Sequence, residues 1–438
     1  MRKIIQYMMM ALIAVVLASC ANDISEESTP TVKSNIRFVV DDFPMFEKPS
    51  TRTIGEEDKG KTAWAVGDEI CVKLESKELG TQTATLKYNG VKFEIQDGNS
   101  LCYLDGEPVT AYAYYAPNRR WRNGSLDFKD IFGNPNGTAE FLEATCTVHC
   151  GDNNYVDISF ANATRNYSRL RIATIPKTEI KVDADNFAPT DNPNLLYMTY
   201  TLTSDEKGNA YLYGTFDNNS IVTVKYRGAS LATHKFSKKT ENAKSYALDA
   251  TVVSLTDEGI TYDQIVEDVK KELDAGKTYI NIILAPDVDE ETLEAIHIGL
   301  REGEANDWSI HLTLIGCTKI PSGGCMYWKM LKSIALPDVT EIGENAFLDC
   351  TGLQKVVLGN LTKVYGNVRE NGIFDGCETR SIDLVLSKDQ KAMNDGEAEG
   401  RYCWTADIIT DYDLSNEHVS KKFLGYEFKS ITCRYKFE

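Results

Sequence analysis

The sequence predicts a multidomain protein: antiparallel β-sandwiches over residues 35–255, then a short α/β solenoid over residues 256–400. Three observations carry this. Short runs of β-branched and aromatic residues alternate with polar ones through the first half, as half-buried strands do. Turn dipeptides such as Asn89-Gly90 punctuate those runs, and long helical periodicity is absent. In the second half, spaced apolar residues recur at an interval of twenty-two.

The chain opens with Arg2 and Lys3, an apolar run from Met8 to Leu17, and Leu17-Ala18-Ser19-Cys20. This order of charge, apolar stretch and small residues marks a secretion signal over residues 1–19. The run is short of the roughly 20 apolar residues that span a bilayer. The ending resembles the lipobox of bacterial lipoproteins, which implies that Cys20 is acylated and becomes the amino terminus. Each buried acyl methylene contributes about 0.8 kcal/mol, so two or three chains hold a protein on the membrane. Residues 20–34 are polar and acidic, with Asp23, Glu26 and Glu27, and read as a flexible tether. They also resemble the surface-export signal of Bacteroidetes lipoproteins, which implies an outer-membrane lipoprotein exposed on the cell surface.

Net charge is -18 and becomes more negative once Arg2 and Lys3 are removed. Such a chain is a poor partner for nucleic acid or an anionic membrane face. Of eleven cysteines, one is the acylation site. The others show no CxxC spacing and sit in apolar runs such as Ile70-Cys71-Val72, as buried thiols do, although export permits disulfides. Cys146 and Cys150 flank His149, but strand positions four apart lie about 13 Å from each other, too far to bridge.

Strands are expected at Arg37–Asp41, Ile70–Leu74, Thr83–Tyr88, Val91–Ile95, Thr110–Tyr115, Tyr155–Phe160 and Arg169–Ile175. A turn-rich stretch, Asp183 to Pro193, separates them from a second set between Leu195 and Leu255. The division is therefore a sandwich over 35–180 and another over 181–255. Thr51-Arg52-Thr53, then Trp64-Ala65-Val66-Gly67-Asp68-Glu69-Ile70, and Ala111-Tyr112-Ala113-Tyr114-Tyr115-Ala116-Pro117 together resemble the fimbrillin-like (Mfa-like) proteins of Bacteroidetes. In polymerising members a cut at a basic residue frees a groove that another subunit's strand fills. The resemblance thus implies Arg52 as a protease site and fimbrial subunits as partners. Physically, Gly67-Asp68 is a turn pair and Trp64 a core anchor.

Leu331-Lys332-Ser333-Ile334-Ala335-Leu336 returns as Leu353-Gln354-Lys355-Val356-Val357-Leu358, and Leu312, Leu314 and Ile320 precede Ile334, Leu336 and Ile342 by the same interval. Ala346-Phe347 and Cys350 return as Ile373-Phe374 and Cys377. The period is a leucine-rich-repeat signal. The details resemble the BspA-like subfamily, strongest over residues 309–387. Two helix–strand units, with helices at Tyr262–Leu273 and Asp289–Arg301, are expected as opening rungs. Residues 401–438, with Tyr402, Trp404, Phe423, Tyr426 and Phe428, are expected to cap the far end.

No phosphate loop, dinucleotide fingerprint, HExxH, GxSxG or calcium loop occurs, the histidines are dispersed, and no cofactor, metal or enzymatic activity is expected. Asp183 and Asp185 form a turn or a weak calcium site, with the turn favoured. Stacked repeats present a continuous row of strand residues. Thr313, Ser333, Ala335, Lys355 and Val357 are the outward candidates for binding an extracellular protein or glycan. Arg119, Arg120, Trp121 and Arg122 form a second, loop-borne candidate. The reading is a surface lipoprotein acting as an adhesin through its repeats, or alternatively a fimbrial anchor or tip subunit assembling by donor-strand exchange.

Overall fold

A computed structural model describes residues 32–33, 36–46, 60–96, 101–104, 106–129, 136–150, 154–160, 165–194, 197–257, 259–303, 309–365, 372–387, 422–424 and 426–435. Cys20, Arg52, Tyr402 and Trp404 lie outside the described residues.

The first sheet has seven strands: β1 (Arg37–Val40), β2 (Glu69–Ser76), β3 (Gly80–Tyr88), β4 (Phe93–Ile95), β5 (Val109–Tyr115), β6 (Leu142–His149) and β7 (Tyr155–Ser159). Their spatial order is β1-β7-β6-β5-β2-β3-β4. All pairs are antiparallel except β1 with β7, which run parallel from Arg37 beside Tyr155 to Val40 beside Ile158. Alternation decides the faces: Ile70, Val72 and Leu74 are fully buried on β2, as are Val156 and Ile158 on β7. Trp64 gathers the core around it. Its ring meets Phe43, Phe93, Tyr115 and Phe160 at 4.8–5.7 Å, and its Nε1 donates to the Asp41 carbonyl at 2.7 Å. The expected two-residue hairpin turn is longer. The Asn89 side chain accepts the Val91 and Lys92 amides, and the Asn89 amide donates to the Lys92 carbonyl at 3.1 Å, so the four residues 89–92 form the turn and the ladder resumes at Phe93 opposite Tyr88.

The second body is a pair of four-stranded sheets. Its strands are β8 (Ser168–Ala173), β9 (Glu179–Asp185), β10 (Phe187–Pro189), β11 (Tyr197–Thr203), β12 (Asn209–Phe216), β13 (Ile221–Tyr226), β14 (Ala229–Lys235) and β15 (Ser245–Asp249). The orders are β10-β12-β8-β15 and β11-β9-β13-β14. Leu170, Ile172, Val182, Phe187, Phe216 and Val224 fill the space between them. The segment Arg169–Ile175, assigned from sequence to the first sandwich, pairs here with β12 and β15. The stretch read as turn-rich, Asp183 to Pro193, holds the end of β9 and all of β10. Both strands are packed at Ala184, Phe187 and Pro189, which outweighs the local turn preference.

The third body begins with β16 (Val253–Ser254), helix α1 (Tyr262–Asp274), β17 (Tyr279–Ile283) and helix α2 (Glu290–Glu302). Thr261 caps α1 in a reciprocal box with Gln264, and Asp289 caps α2 through the Thr292 amide. Ile265, Val269 and Leu273 on α1, and Leu293, Ile296 and Leu300 on α2, form the buried stripes. Then come β18 (Ile310–Ile315), β19 (Lys319–Ile320), β20 (Leu331–Leu336), β21 (Glu341–Ile342), β22 (Lys355–Leu358), β23 (Lys363–Val364), β24 (Asp383–Ser387) and β25 (Ser430–Tyr435). One all-parallel sheet runs β16-β17-β18-β20-β22-β24-β25, and a narrow one runs β19-β21-β23.

The expected α/β leucine-rich-repeat solenoid does not form. α1 and α2 are the only α-helices among the described residues, both precede the repeats, and the rest is β-sheet and turns apart from one 3-10 turn at Thr379–Ser381. The physical reason lies in the return segment of each rung. Asn345 and Asp349 take φ of 53° and 56°, a left-handed backbone that interrupts any helix between them. Between β20 and β22 the chain makes turns instead, with Phe347 fully buried and stacked on Phe374 at 5.2 Å. Phe423 and Phe428 close the far end, the latter with its ring 5.5 Å from Phe374.

Candidate ligand cavity under the second sandwich

The residues proposed as an outward row do share one face. Thr313, Ala335 and Val357 are register partners, and so are His311, Ser333, Lys355 and Asp383. That face is not open. The β13–β14 hairpin of the second sandwich lies over it. Thr313 is 2 % exposed, Ala335 5 % and Val357 2 %. Ala229 of the hairpin packs on Ala335, Val357 and Val385 in a small dry cluster. Asn281 on β17 donates to the Leu231 carbonyl at 3.0 Å and to that of Thr251 at 3.1 Å. Arg227, at the hairpin turn, pairs with Asp338, whose other oxygen accepts the Gly316 amide at 2.8 Å.

Where the hairpin lifts from the sheet, a cavity of about 470 Å³ remains. Its floor is Tyr279, His311, Ser333, Lys355 and Asp383, and its roof carries Thr223, Lys225, Ser230 and Thr233. Lys332 and Gln354 also line it. The strands explain the lining. On a strand every second residue faces one side, so the core residues Leu312, Ile334, Val356 and Leu384 point away while their polar neighbours face the hairpin.

The cavity is electropositive. Lys225 is held by Asp183 at 2.5 Å. Asp383 accepts from Lys429 at 2.9 Å and from Ser430 at 2.5 Å, and these bonds outweigh burial to hold its carboxyl below the usual range. The Lys355 ammonium has no ion pair or hydrogen bond among the described residues. Burial first, and the Lys225 charge second, push its ammonium pKa down. His311 is likewise lowered by burial, then by Lys355 and Lys332, which disfavours its charged ring. That ring stacks on Tyr279 at 4.5 Å, and its Nδ1 lies 2.8 Å from Ser333 Oγ.

The second candidate group is placed differently. Arg119–Arg122 is a strand paired with Ser125–Phe128, turning at Asn123 and Gly124 with φ of 51° and 79°. Arg119 donates to Asp191 at 3.0 Å and lies 4.1 Å over Phe128, tying the first sheet to the second body. Trp121 Nε1 donates to the Ala84 carbonyl. Arg120 and Arg122 are exposed. Asp183 serves Lys225 and Thr199. His149 stacks on Tyr155 and meets Asp157 at 2.9 Å. Among the described residues, no group of three His, Cys, Asp or Glu is arranged to hold a metal, and no helix is long and apolar enough to cross a membrane.

Lys225, Thr223 and Thr233 escaped the sequence reading because nothing local connects the hairpin to the repeats. Tyr279 and His311 share the strand alternation that flagged Ser333 and Lys355, and that alternation was the available signal; Lys332 is one residue out of phase, at the point where the pairing of β18 with β20 shifts register.

No family model and no curated protein matches the chain. Among solved structures, a candidate cell adhesion protein of Bacteroides fragilis is similar at 12% identity and TM-score 0.23, over 51% of this chain and 94% of that one. The fimbrial anchor protein Mfa2 of Porphyromonas gingivalis is similar at 10% identity and TM-score 0.20, over 45% and 80%. A shaft pilin SpaA double mutant of Lactobacillus rhamnosus GG matches at 12% and TM-score 0.17, over 53% and 100%. Superpositions this loose do not define a shared fold.

Proposed function

We propose that the protein is a fimbrial accessory subunit, an anchor or tip, held on the outer face of the outer membrane by lipid on Cys20. Its division is a tether over residues 20–34, two β-bodies meeting between residues 160 and 168, and the parallel β-body from residue 253. The sequence resemblance at Thr51–Thr53 and Trp64–Ile70 supports the fimbrial assignment. The placement of β1 carries it. This edge strand lies between Cys20 and Arg52 and is the one parallel member of its sheet among the described strands. Ile36, Phe38, Phe43 and Phe46 bury their side chains in the body that follows. Burial at about 1.5–3 kcal/mol per side chain makes this segment worth roughly 6–12 kcal/mol. After a cut at Arg52 it would therefore stay docked until a competing strand displaced it, and main-chain pairing with β7 would then supply affinity for the newcomer. An adhesin working through an open row of repeat strands is less well supported, because the β13–β14 hairpin covers that row.

The test is exchange itself. Membranes carrying the protein and its fimbrial subunits are treated with an arginine-specific protease and run unboiled on denaturing gels. Detergent-resistant species larger than the monomer should form, and Arg52→Ala should abolish them. A monomer alone under every condition would leave the adhesin reading in its place.

A further inference from the structure

We propose that the cavity between the β13–β14 hairpin and the parallel sheet binds a carboxylated saccharide. The inference stands independently of strand exchange, since it uses neither β1 nor Arg52.

Charge is the first observation. Three lysines reach this one cavity in a chain of net charge -18. Lys225 is spoken for by Asp183, and the carboxylate of Asp383 by Lys429 and Ser430. Lys355 and Lys332 have no acidic partner within ion-pair distance among the described residues. Asp383, the register partner of Lys355, acts on its ammonium only from beyond ion-pair distance and is itself bonded to Lys429 and Ser430. A half-buried ammonium with no direct ion pair is costly, and an anion entering beside it recovers that cost. The lowered basicity of Lys355 fits the same picture.

Size and lining choose among anions. A volume of about 470 Å³ lies within the range of small-molecule sites, well above what one inorganic ion fills. Among the described residues no arginine lines it. Phosphate and sulfate sites generally rely on guanidinium forks or clusters of backbone amides. The walls here carry hydroxyls and an amide instead, from Thr223, Ser333 and Gln354. Such groups both donate and accept, as a polyol requires. The Tyr279–His311 stack adds a flat aromatic edge, a surface against which a sugar ring can lie. An acidic peptide would need a groove with free main-chain partners. The strands of this floor already pair with one another on both sides.

The test is calorimetric titration of the purified lipidated protein in detergent. The probes are glucuronic acid, N-acetylneuraminic acid, glucose, N-acetylglucosamine, inorganic phosphate and a glutamate-rich peptide. At least one acidic sugar should bind, more weakly as salt rises, while glucose and N-acetylglucosamine should not. Lys355→Met keeps the apolar stem and removes the charge, and should weaken binding about tenfold or more. Lys332→Met should weaken it less, and Lys92→Met, in the exposed turn between β3 and β4 of the first sheet, should leave it unchanged. If Lys355→Met fails to fold, Thr223→Val provides the same readout from the roof. Equal binding of neutral sugars, binding of phosphate or the peptide alone, or no heat with any probe would each overturn the assignment. So would acidic-sugar binding that persists undiminished in a folded Lys355→Met protein.

Discussion

Phe347 and Phe374 show how much one side chain carries here. Their rings stack nearly parallel, at 18°, in a core where both are essentially inaccessible. Phe347→Ala should cost roughly 3–5 kcal/mol, read as a shift in the denaturant midpoint at unchanged slope. An unchanged midpoint would mean the ring is not a core element. The cysteines beside them behave as hydrophobes: Cys350 and Cys377 donate to backbone carbonyls, and burial pushes their thiols up to about 12. His311 supplies a pH signature. Its folded pKa lies below the ordinary 6.5, so below about 6.5 the unfolded chain takes up a proton that the folded one resists. Stability should therefore fall as pH drops from 7 towards 5. His234 and His297 add to the fall in the same direction. His311→Gln should flatten part of that slope in urea melts at successive pH values. A slope identical to that of the unmodified protein would exclude His311 as a source.

At the scale of an element, the rungs stack so closely that glycine becomes obligatory. A Cβ on Gly343 would lie 2.4 Å from the Ser322 nitrogen and 2.6 Å from the Pro321 carbonyl carbon of the preceding rung. Neither backbone atom can rotate away. Gly343→Ala should destabilise the protein by about 1–3 kcal/mol, the usual cost of overpacking. An unchanged thermal midpoint would argue that the rungs sit further apart. The same closeness explains why twenty-two residues suffice for one turn of the stack. β20, β21 and the buried turn through Phe347 use the whole length, and no segment remains for a helix. Periodicity therefore reported the register correctly, since Ser333 pairs with Lys355 and Glu341 with Lys363. It did not report the α/β class, because left-handed turns at Asn345 and Asp349 are decided by packing against the neighbouring rung.

Across the whole molecule, the contact between the second sandwich and the parallel sheet sets what can bind. Ala229 is fully buried where it meets Ala335 and Val357. Ala229→Arg would drive a charged side chain into this dry contact, and should cost at least about 3 kcal/mol if the bodies stay docked. Limited proteolysis should then cut near residue 253, and melting should split into two transitions. A single unaltered transition would mean the hairpin does not depend on the sheet. The proposed lipid attachment at Cys20 is tested separately. Cys20→Ala should move the protein from the membrane fraction to the soluble one, and retention after a high-salt wash would show that the lipid is not the anchor.

Much of this was written locally. Alternation placed the strands, since a residue's face on a strand depends only on its position in it. Trp64, Gly67 and Asp68 marked a turn and an aromatic anchor, and the twenty-two-residue recurrence marked which strands would be neighbours. What no local pattern could decide was which surface would meet which. β8 belongs with β12 and β15 rather than with the strands preceding it. The hairpin at Ala229, more than a hundred residues before Ala335, covers a row that looks solvent-facing in the repeats alone. Covering a sheet face depends on the shapes and charges of two bodies brought together, as in the Arg227–Asp338 pair. The cavity with Lys355 on its floor exists only because that docking is incomplete.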